Sequence, residues 1–190
     1  SATVLTSTLY RCYFVGKAGR IVRYLPYSYT YTSPPPGYTV YTTCYKHPSP
    51  TTVDLTGVWA GVNVNAGNLE VRITGKGGFA LRGVAALATT YDPAFVTPGF
   101  DYSMYLPPGG ADINAIGGTG FDDLFVAGAR GTLAQFQNVS FPLMAQDVPF
   151  TKRQLGTTGD LTSLVSFKNG VYATGPNRTL VYSGPLFQPN

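Results

Sequence analysis

Residues 10–45 read YRCYFVGKAGRIVRYLPYSYTYTSPPPGYTVYTTCY, and this stretch decides the fold class. In its middle, Tyr27, Tyr29 and Tyr31 alternate with Ser or Thr residues, so one face of the segment carries rings and the other carries hydroxyls. Strict alternation of this kind, in aromatic and β-branched residues, is typical of a half-buried β-strand. After the breaker Ser-Pro-Pro-Pro-Gly at residues 33–37, a second alternating run contains Tyr41, so the pattern predicts a hairpin.

Turn residues predict further hairpins along the chain. The tetrapeptides Gly-Lys-Ala-Gly at residues 16–19 and Gly-Lys-Gly-Gly at 75–78 each separate two apolar, alternating runs. Asn169-Gly170 is the clearest hairpin signal. Residues 84–88 are apolar and rich in alanine, and periodicity leaves a short helix and a buried strand equally open.

The two cysteines, Cys12 and Cys44, fall on separate predicted strands of the same small sheet. A zinc site needs four ligands and the chain has one histidine, so we expect a single disulfide and an oxidising compartment. The alternative is two buried free thiols in a reduced compartment.

Composition favours an all-β protein without membrane spans. Only 12% of the 190 residues are charged, 23 are Gly and 15 are Pro, while aromatic residues make up 14%. No apolar run is long enough to span a bilayer. Residues 1–53 contain no Asp or Glu, so this part is basic and rich in Tyr. Such a surface suits either polyanions or an oppositely charged face in a packed assembly, and the spread of the cations argues against nucleic acid.

We expect one β domain over residues 1–190: a basic, Tyr-rich, disulfide-stapled sheet region at 1–53 and a main β region at 54–190. The main region contains a long Gly/Pro-rich loop at 92–120. No internal repeat of fixed period is visible. About ten short strands with regularly spaced turns predict a β-sandwich or jelly roll, with a closed β-barrel as the alternative. The first nine residues predict a strand, which pairs within its own chain or is exchanged with a neighbouring subunit through Val4, Leu5 and Thr6.

Catalytic and metal-binding motifs are poorly represented. There is no Gly-x-Ser-x-Gly elbow, and His47, beside Pro48, is expected to be a surface loop residue. Asp112, Asp122 and Asp123 offer oxygen atoms to a calcium ion, with caps of backbone donors as the simpler interpretation. Asn138 and Asn177 match the N-glycosylation acceptor pattern. We therefore expect no catalytic residue, no cofactor and no dedicated metal site.

Residues 54–61, DLTGVWAG, carry the one family resemblance in the chain. Gly57 and Trp59 resemble the Gly-x-Trp opening of the calycin barrels, the lipocalin and avidin type. The resemblance implies a closed barrel that binds a small ligand near Trp59. A tryptophan that packs in an ordinary core at a strand start is the alternative interpretation.

The sequence thus predicts a non-enzymatic structural protein of a cell or virion surface, extracellular, which assembles with copies of itself into a filament, shell or appendage. Hydroxyl-rich strands with tyrosines give large contact areas at little cost in rotamer entropy. Candidate interface or ligand residues are Tyr27, Tyr29, Tyr31, Tyr41 and Trp59. The alternative function is that of a β-domain that binds a small ligand or a carbohydrate.

Overall fold

The computed structural model describes residues 2–4, 12–31, 37–63, 68–86, 101–105, 110–118, 120, 124–136, 150–153, 158–167, 170–176 and 180–183. Within these ranges the regular secondary structure consists of β-strands and single-turn 3-10 segments, so the all-β prediction is confirmed. The described ranges contain no helix long and apolar enough to cross a membrane.

The described strands form four separate antiparallel sheets, in which strands that follow each other in sequence are neighbours in space. The first sheet contains β1 (Ala2–Val4), β2 (Cys12–Val15), β3 (Ile21–Tyr31) and β4 (Gly37–His47). The second contains β5 (Leu55–Asn63), β6 (Asn68–Gly75), β7 (Ala80–Ala86) and β8 (Asp101–Tyr105). The third contains β9 (Ile113–Gly118), β10 (Leu124–Gly128), β11 (Thr132–Phe136) and β12 (Phe150–Arg153), and the fourth contains β13 (Ser163–Phe167), β14 (Gly170–Thr174) and β15 (Leu180–Ser183).

Three apolar clusters hold the successive sheets together face to face. The first joins Tyr13 and Ile21 of the first sheet to the second sheet around Leu69 and Val71. The second joins the second sheet to the third, and the third joins Phe125 and its neighbours to the fourth sheet. The fold is therefore a stack of four sheets with a separate core at each junction. The described strands form no closed barrel, so the barrel alternative and the fold implied by the calycin resemblance are wrong.

One turn recurs in each of the first three sheets, between the second and third strand. It begins at Gly16, Gly75 and Gly128 and comprises a 3-10 segment whose central residue is left-handed, with φ of 53° at Ala18, 63° at Gly77 and 57° at Arg130. The residue that follows the central one is glycine in all three turns (Gly19, Gly78 and Gly131). Its φ of 65–74° is strained for residues that carry a side chain. The fourth sheet has Gly175 at the corresponding place. Each sheet is thus one copy of a repeated unit, and unequal spacing of the copies hid the repeat from a search for a fixed period.

An aspartate links each of these turns to the next sheet. Asp54, Asp112 and Asp160 stand just before the first strand of the second, third and fourth sheets. Their side chains accept hydrogen bonds from the central amides of the preceding turns, at Ala18 (2.9 Å), Gly77 (2.7 Å) and Arg130 (2.9 Å). Main-chain bonds reinforce two of the links, since Leu55 donates to the Gly16 carbonyl and Leu161 to that of Gly128. We call these contacts the aspartate clamps.

The aspartate main chain also explains the glycine that begins a turn. Ala129 donates to the Asp112 carbonyl, which brings that oxygen against Gly128. A Cβ atom on Gly128 would lie 2.0 Å from the Asp112 oxygen, so a side chain at this position is excluded.

The described strands test several of the predictions made from the sequence. The hairpins around residues 16–19 and 75–78 are confirmed. The hairpin at Asn169-Gly170 is also confirmed, although Gly170 already pairs with Phe167 and belongs to the strand. Residues 84–86 are strand, which resolves the choice between helix and strand there.

The prediction of a loop over residues 92–120 is wrong in part, because β8 and β9 lie within it. Its glycines and prolines concealed two short strands. The N-terminal strand pairs antiparallel with β2 of its own chain, with Ala2 opposite Phe14. Exchange of this strand between subunits stays a prediction, and Leu5 and Thr6 lie outside the described residues.

Candidate assembly interface

Side chains alternate across each sheet, so the second and third sheets each have one face toward the preceding sheet and one toward the following sheet, and the first and fourth sheets each have one such face uncovered by the described strands. In β2, Tyr13 is buried against the second sheet, and Phe14 points the opposite way. In β10, Val126 packs toward the second sheet and Phe125 toward the fourth. We call these the preceding face and the following face of a sheet.

The repeat places one residue pair at the same position on the following face of each sheet, three residues before the first glycine of the turn. The four pairs in register are Tyr13 with Arg23, Arg72 with Arg82, Phe125 with Gln135, and Tyr172 with Tyr182. The first three pairs lie beneath a following sheet. Tyr172 belongs to the last sheet and is 38% exposed.

Among the residues whose side-chain exposure the structure describes, the exposed large apolar ones are Phe14 (45%), Val165 (51%) and Tyr172 (38%). Val165 and Tyr172 are paired in register on the following face of the fourth sheet. Phe14 lies on the preceding face of the first sheet. All three are therefore on the two ends of the stack, where the described residues supply no further sheet. Contiguous apolar patches on a protein surface mark protein–protein contacts, and Val165 and Tyr172 are direct neighbours on such a face.

The first junction also buries polar groups. Tyr13, Arg23 and His47 are all buried, and the rings of Tyr13 and His47 stack with centroids 6.4 Å apart. Burial, together with the smaller effect of the nearby Arg23 charge, lowers the pKa of His47 from 6.5 to about 4. The prediction of a surface loop histidine is wrong, because His47 ends β4 and pairs with the buried Ile21.

The second junction contains a cluster of three charges, in which Glu70 is buried and the two arginines are partly exposed. Glu70 accepts hydrogen bonds from Arg82 Nε at 2.9 Å and from Arg82 Nη2 at 3.1 Å, and it also forms an ion pair with Arg72. Burial lowers the pKa of Arg72 to about 10, and the Glu70 carboxylate opposes that effect. The cluster has a net charge of +1 and lies in the sheet, so it serves packing and register rather than an open binding site.

Trp59 fills the same junction beside this cluster. It is opposite Arg72 in register, lies across Gly61, and donates from Nε1 to the Gly118 carbonyl of the third sheet at 3.3 Å. A Cβ atom at position 61 would come within 2.4 Å of the indole. Trp59 thus bridges two sheets as a packing residue, in agreement with the second interpretation of its motif.

The predicted disulfide is wrong. Both cysteines are free. Register gives the reason: Cys12 pairs with Tyr24, and Tyr24 pairs with Cys44, so a whole strand separates the two thiols. Two strand spacings place the Cα atoms about 9–10 Å apart, beyond the limit of about 7 Å for a disulfide. Both cysteines lie on the same face as Phe14, at one end of the stack.

Of the three calcium candidates, the structure describes only Asp112. Asp112 is committed to its clamp and receives Lys76 Nζ at 2.9 Å, and these donors lower its pKa. Asp122 and Asp123 lie outside the described residues. Across the described ranges, no group of three or more His, Cys, Asp or Glu side chains is arranged to hold a metal ion. For Asp112, the interpretation as a cap of backbone donors is confirmed.

The tyrosine candidates are placed by their backbone alone. Tyr27, Tyr29 and Tyr31 belong to β3, and Tyr41 lies opposite Tyr27 on β4. The turn between these strands and the acceptor residues Asn138 and Asn177 lie outside the described residues. A role of these tyrosines at an interface stays a prediction.

The end faces and the clamps were missed by sequence reasoning, although a signal was present. A dipeptide Asp-Leu or Asp-Ile occurs at residues 54, 112 and 160, each time upstream of a Gly-x-x-Gly turn or its Gly175 counterpart. Alignment on these two marks, with free spacing, would have revealed the repeat.

No family model, no curated protein and no solved structure matches this chain. Its function must be argued from its own residues.

Proposed function

We propose that this protein is a non-enzymatic structural subunit that assembles with copies of itself. The observation that carries the proposal is the distribution of exposed apolar side chains: Phe14 is at one end of the stack, and Val165 and Tyr172 are at the other. The equivalent faces of the internal sheets are buried at each junction. The two end faces have the same apolar pattern, and they differ only in that no described sheet covers them.

Composition supports the same proposal. Few charges and many Tyr, Thr and Ser residues on strands favour broad, permanent contacts, which require little desolvation of charge. We place the assembly outside the cell or at a cell or virion surface on composition alone. The free cysteines remove the argument from an oxidising compartment.

The test is the mass of the native protein in solution as its concentration rises, measured by light scattering beside negative-stain electron microscopy. We expect discrete oligomers, rings or filaments that contain this chain alone. A single species near 20 kDa at every concentration up to the millimolar range would overturn the proposal. A Lys17→Ser variant, changed at an exposed turn residue away from both end faces, is the control and should assemble like the native chain.

A further inference from the structure

Resting on the proposed function, we infer that copies join head to tail: the following face of the fourth sheet in one copy packs on the preceding face of the first sheet in the next. The junction between copies would then repeat the junctions within the chain. The occupant of each end face is thus a second copy of this chain, bound through its opposite end.

The following face of the fourth sheet matches three faces that are already covered. Tyr172 stands three residues before Gly175, as Phe125 stands before Gly128 and Tyr13 before Gly16. Phe125 and Tyr13 are almost fully buried by the sheet that follows them. Val165, the partner of Tyr172, stands where the third sheet has Gly117, and a Cβ there would come within 2.7 Å of Leu164 in the next sheet. Tyr172 and Val165 therefore stand where internal junctions are closely packed.

The preceding face of the first sheet matches the other half of each junction. Phe14 stands two residues before its turn glycine, and the residues at this position in later sheets are Ile73, Val126 and Ala173. All three are buried by the sheet before them, whereas Phe14 is 45% exposed. Cys12 is half-buried, and its counterparts Val71, Leu124 and Val171 are fully buried. The first sheet thus presents the apolar pattern that every later sheet buries against its predecessor.

The pairing of unlike faces follows from the three internal junctions. Each of them joins a following face to a preceding face, and none joins two faces of the same kind. A contact between the two free ends continues this arrangement. A contact of unlike faces is heterologous, so it closes into a ring or extends as a filament, depending on the rotation between copies.

Two substitutions separate head-to-tail assembly from contacts between like faces. Phe14→Lys places a charge on the first sheet's free face, and Tyr172→Lys does so on the fourth sheet's free face. A central aromatic contact that is lost in this way weakens association by about 30-fold or more. Because both side chains are exposed within the single chain, each variant should keep the circular dichroism spectrum of the native protein and the melting temperature that the native protein shows at concentrations where it is monomeric.

We expect each variant alone to be monomeric, and an equimolar mixture to form a one-to-one dimer that grows no further. In that dimer the intact fourth sheet of the Phe14→Lys copy covers the intact first sheet of the Tyr172→Lys copy. If only one variant self-associates by itself, or if each variant stops at a dimer, like faces are in contact and the inference is overturned. If both variants assemble as the native chain does, the contact between copies lies elsewhere. That result overturns the head-to-tail inference but leaves the proposal of self-assembly intact. A native protein that stays monomeric removes the proposed function together with this inference.

Thiol labelling supplies a second readout of the same geometry. In a Cys44→Ser background Cys12 is the sole thiol of the chain, and it lies on the first sheet's free face. In the mixed dimer, only the Tyr172→Lys copy has its first sheet covered. A maleimide should therefore label Cys12 more slowly in that copy than in the Phe14→Lys copy, and mass spectrometry distinguishes the two. Equal labelling of both copies would contradict the head-to-tail arrangement.

Discussion

Phe125 and Tyr172 occupy the same position in two copies of one structural unit, yet the first is buried and the second is 38% exposed. Both are aromatic, both lie on the second strand of a sheet, and both stand three residues before a turn glycine. The difference between them is the presence of a following sheet. Burial in this fold is therefore decided by position in the stack and not by the local sequence.

The same contrast holds at the other end of the stack. Phe14 is exposed and its counterparts Ile73 and Val126 are buried, although all three are apolar strand residues. An end face that retains large apolar side chains is costly in a solitary molecule, because it exposes area whose burial is worth about 25 cal/mol per Å². The two end faces thus resemble internal sheet faces in their apolar residues, although no described sheet covers them.

The largest predicted effect tests this contrast directly. Phe125→Ala should lower the free energy of unfolding by about 3–5 kcal/mol, because it leaves a cavity between the third and fourth sheets. Tyr172→Ala at the matched position should cost less than about 1 kcal/mol. Urea denaturation at dilute, monomeric concentrations measures both. Similar losses would mean that the fourth sheet's free face is covered within the single chain.

The second prediction concerns charge inside a junction. Glu70→Ala removes the buried carboxylate from the largely buried Arg72 and Arg82, so we expect a loss of about 3 kcal/mol. The combined variant Glu70→Leu, Arg72→Met, Arg82→Met removes all three charges and should recover most of that loss, since apolar residues of similar volume suit a buried site. A loss below about 1 kcal/mol for Glu70→Ala would show that the cluster contributes little to this junction.

The third prediction uses pH at the first junction. The folded pKa of His47, about 4, is below the unfolded value of 6.5, so unfolding takes up a proton as the pH falls. The stabilisation is complete above pH 6.5 and decreases progressively toward pH 4, with about 1.4 kcal/mol lost by pH 5.5. Urea denaturation at pH 8 and pH 5.5 measures it. A His47→Phe variant, which keeps a ring beside Tyr13, should lose this pH dependence, and an unchanged pH dependence would assign it to other groups.

The sequence contained the strands and most of their turns, because alternation and turn residues act locally. It predicted the hairpin at Gly16–Gly19, the pair of strands on either side of residues 75–78 and the apolar alternation of Leu69, Val71 and Ile73. It could not predict how hairpins stack, since Leu69 and Glu70 are both buried and no alternation indicates which sheet covers which face.

Two predictions about sites failed because they depend on register across strands. Cys12 and Cys44 are on separate strands of one sheet, as predicted, but Tyr24 lies between them because β3 separates their two strands. His47 beside Pro48 has the local pattern of a loop, and its burial depends on pairing with Ile21. In both cases the strand could be predicted from local sequence. Whether the cysteines pair and whether His47 is buried depend instead on which strands are neighbours.

The smallest predicted effect concerns the aspartate clamps, which connect neighbouring sheets at the three internal junctions. Asp112→Ala should cost about 0.5–1 kcal/mol, because the carboxylate caps the Gly77 amide but is exposed to solvent. Its pKa is lowered in the folded chain, so its contribution persists above about pH 4 and is lost as the pH falls through the lowered value. Hydrogen exchange provides the local test: the Gly77 amide should exchange faster in Asp112→Ala, while the Ala18 amide, held by Asp54, stays protected. Equal acceleration at both amides would show that the clamps act as one cooperative unit and not as separate links between neighbouring sheets.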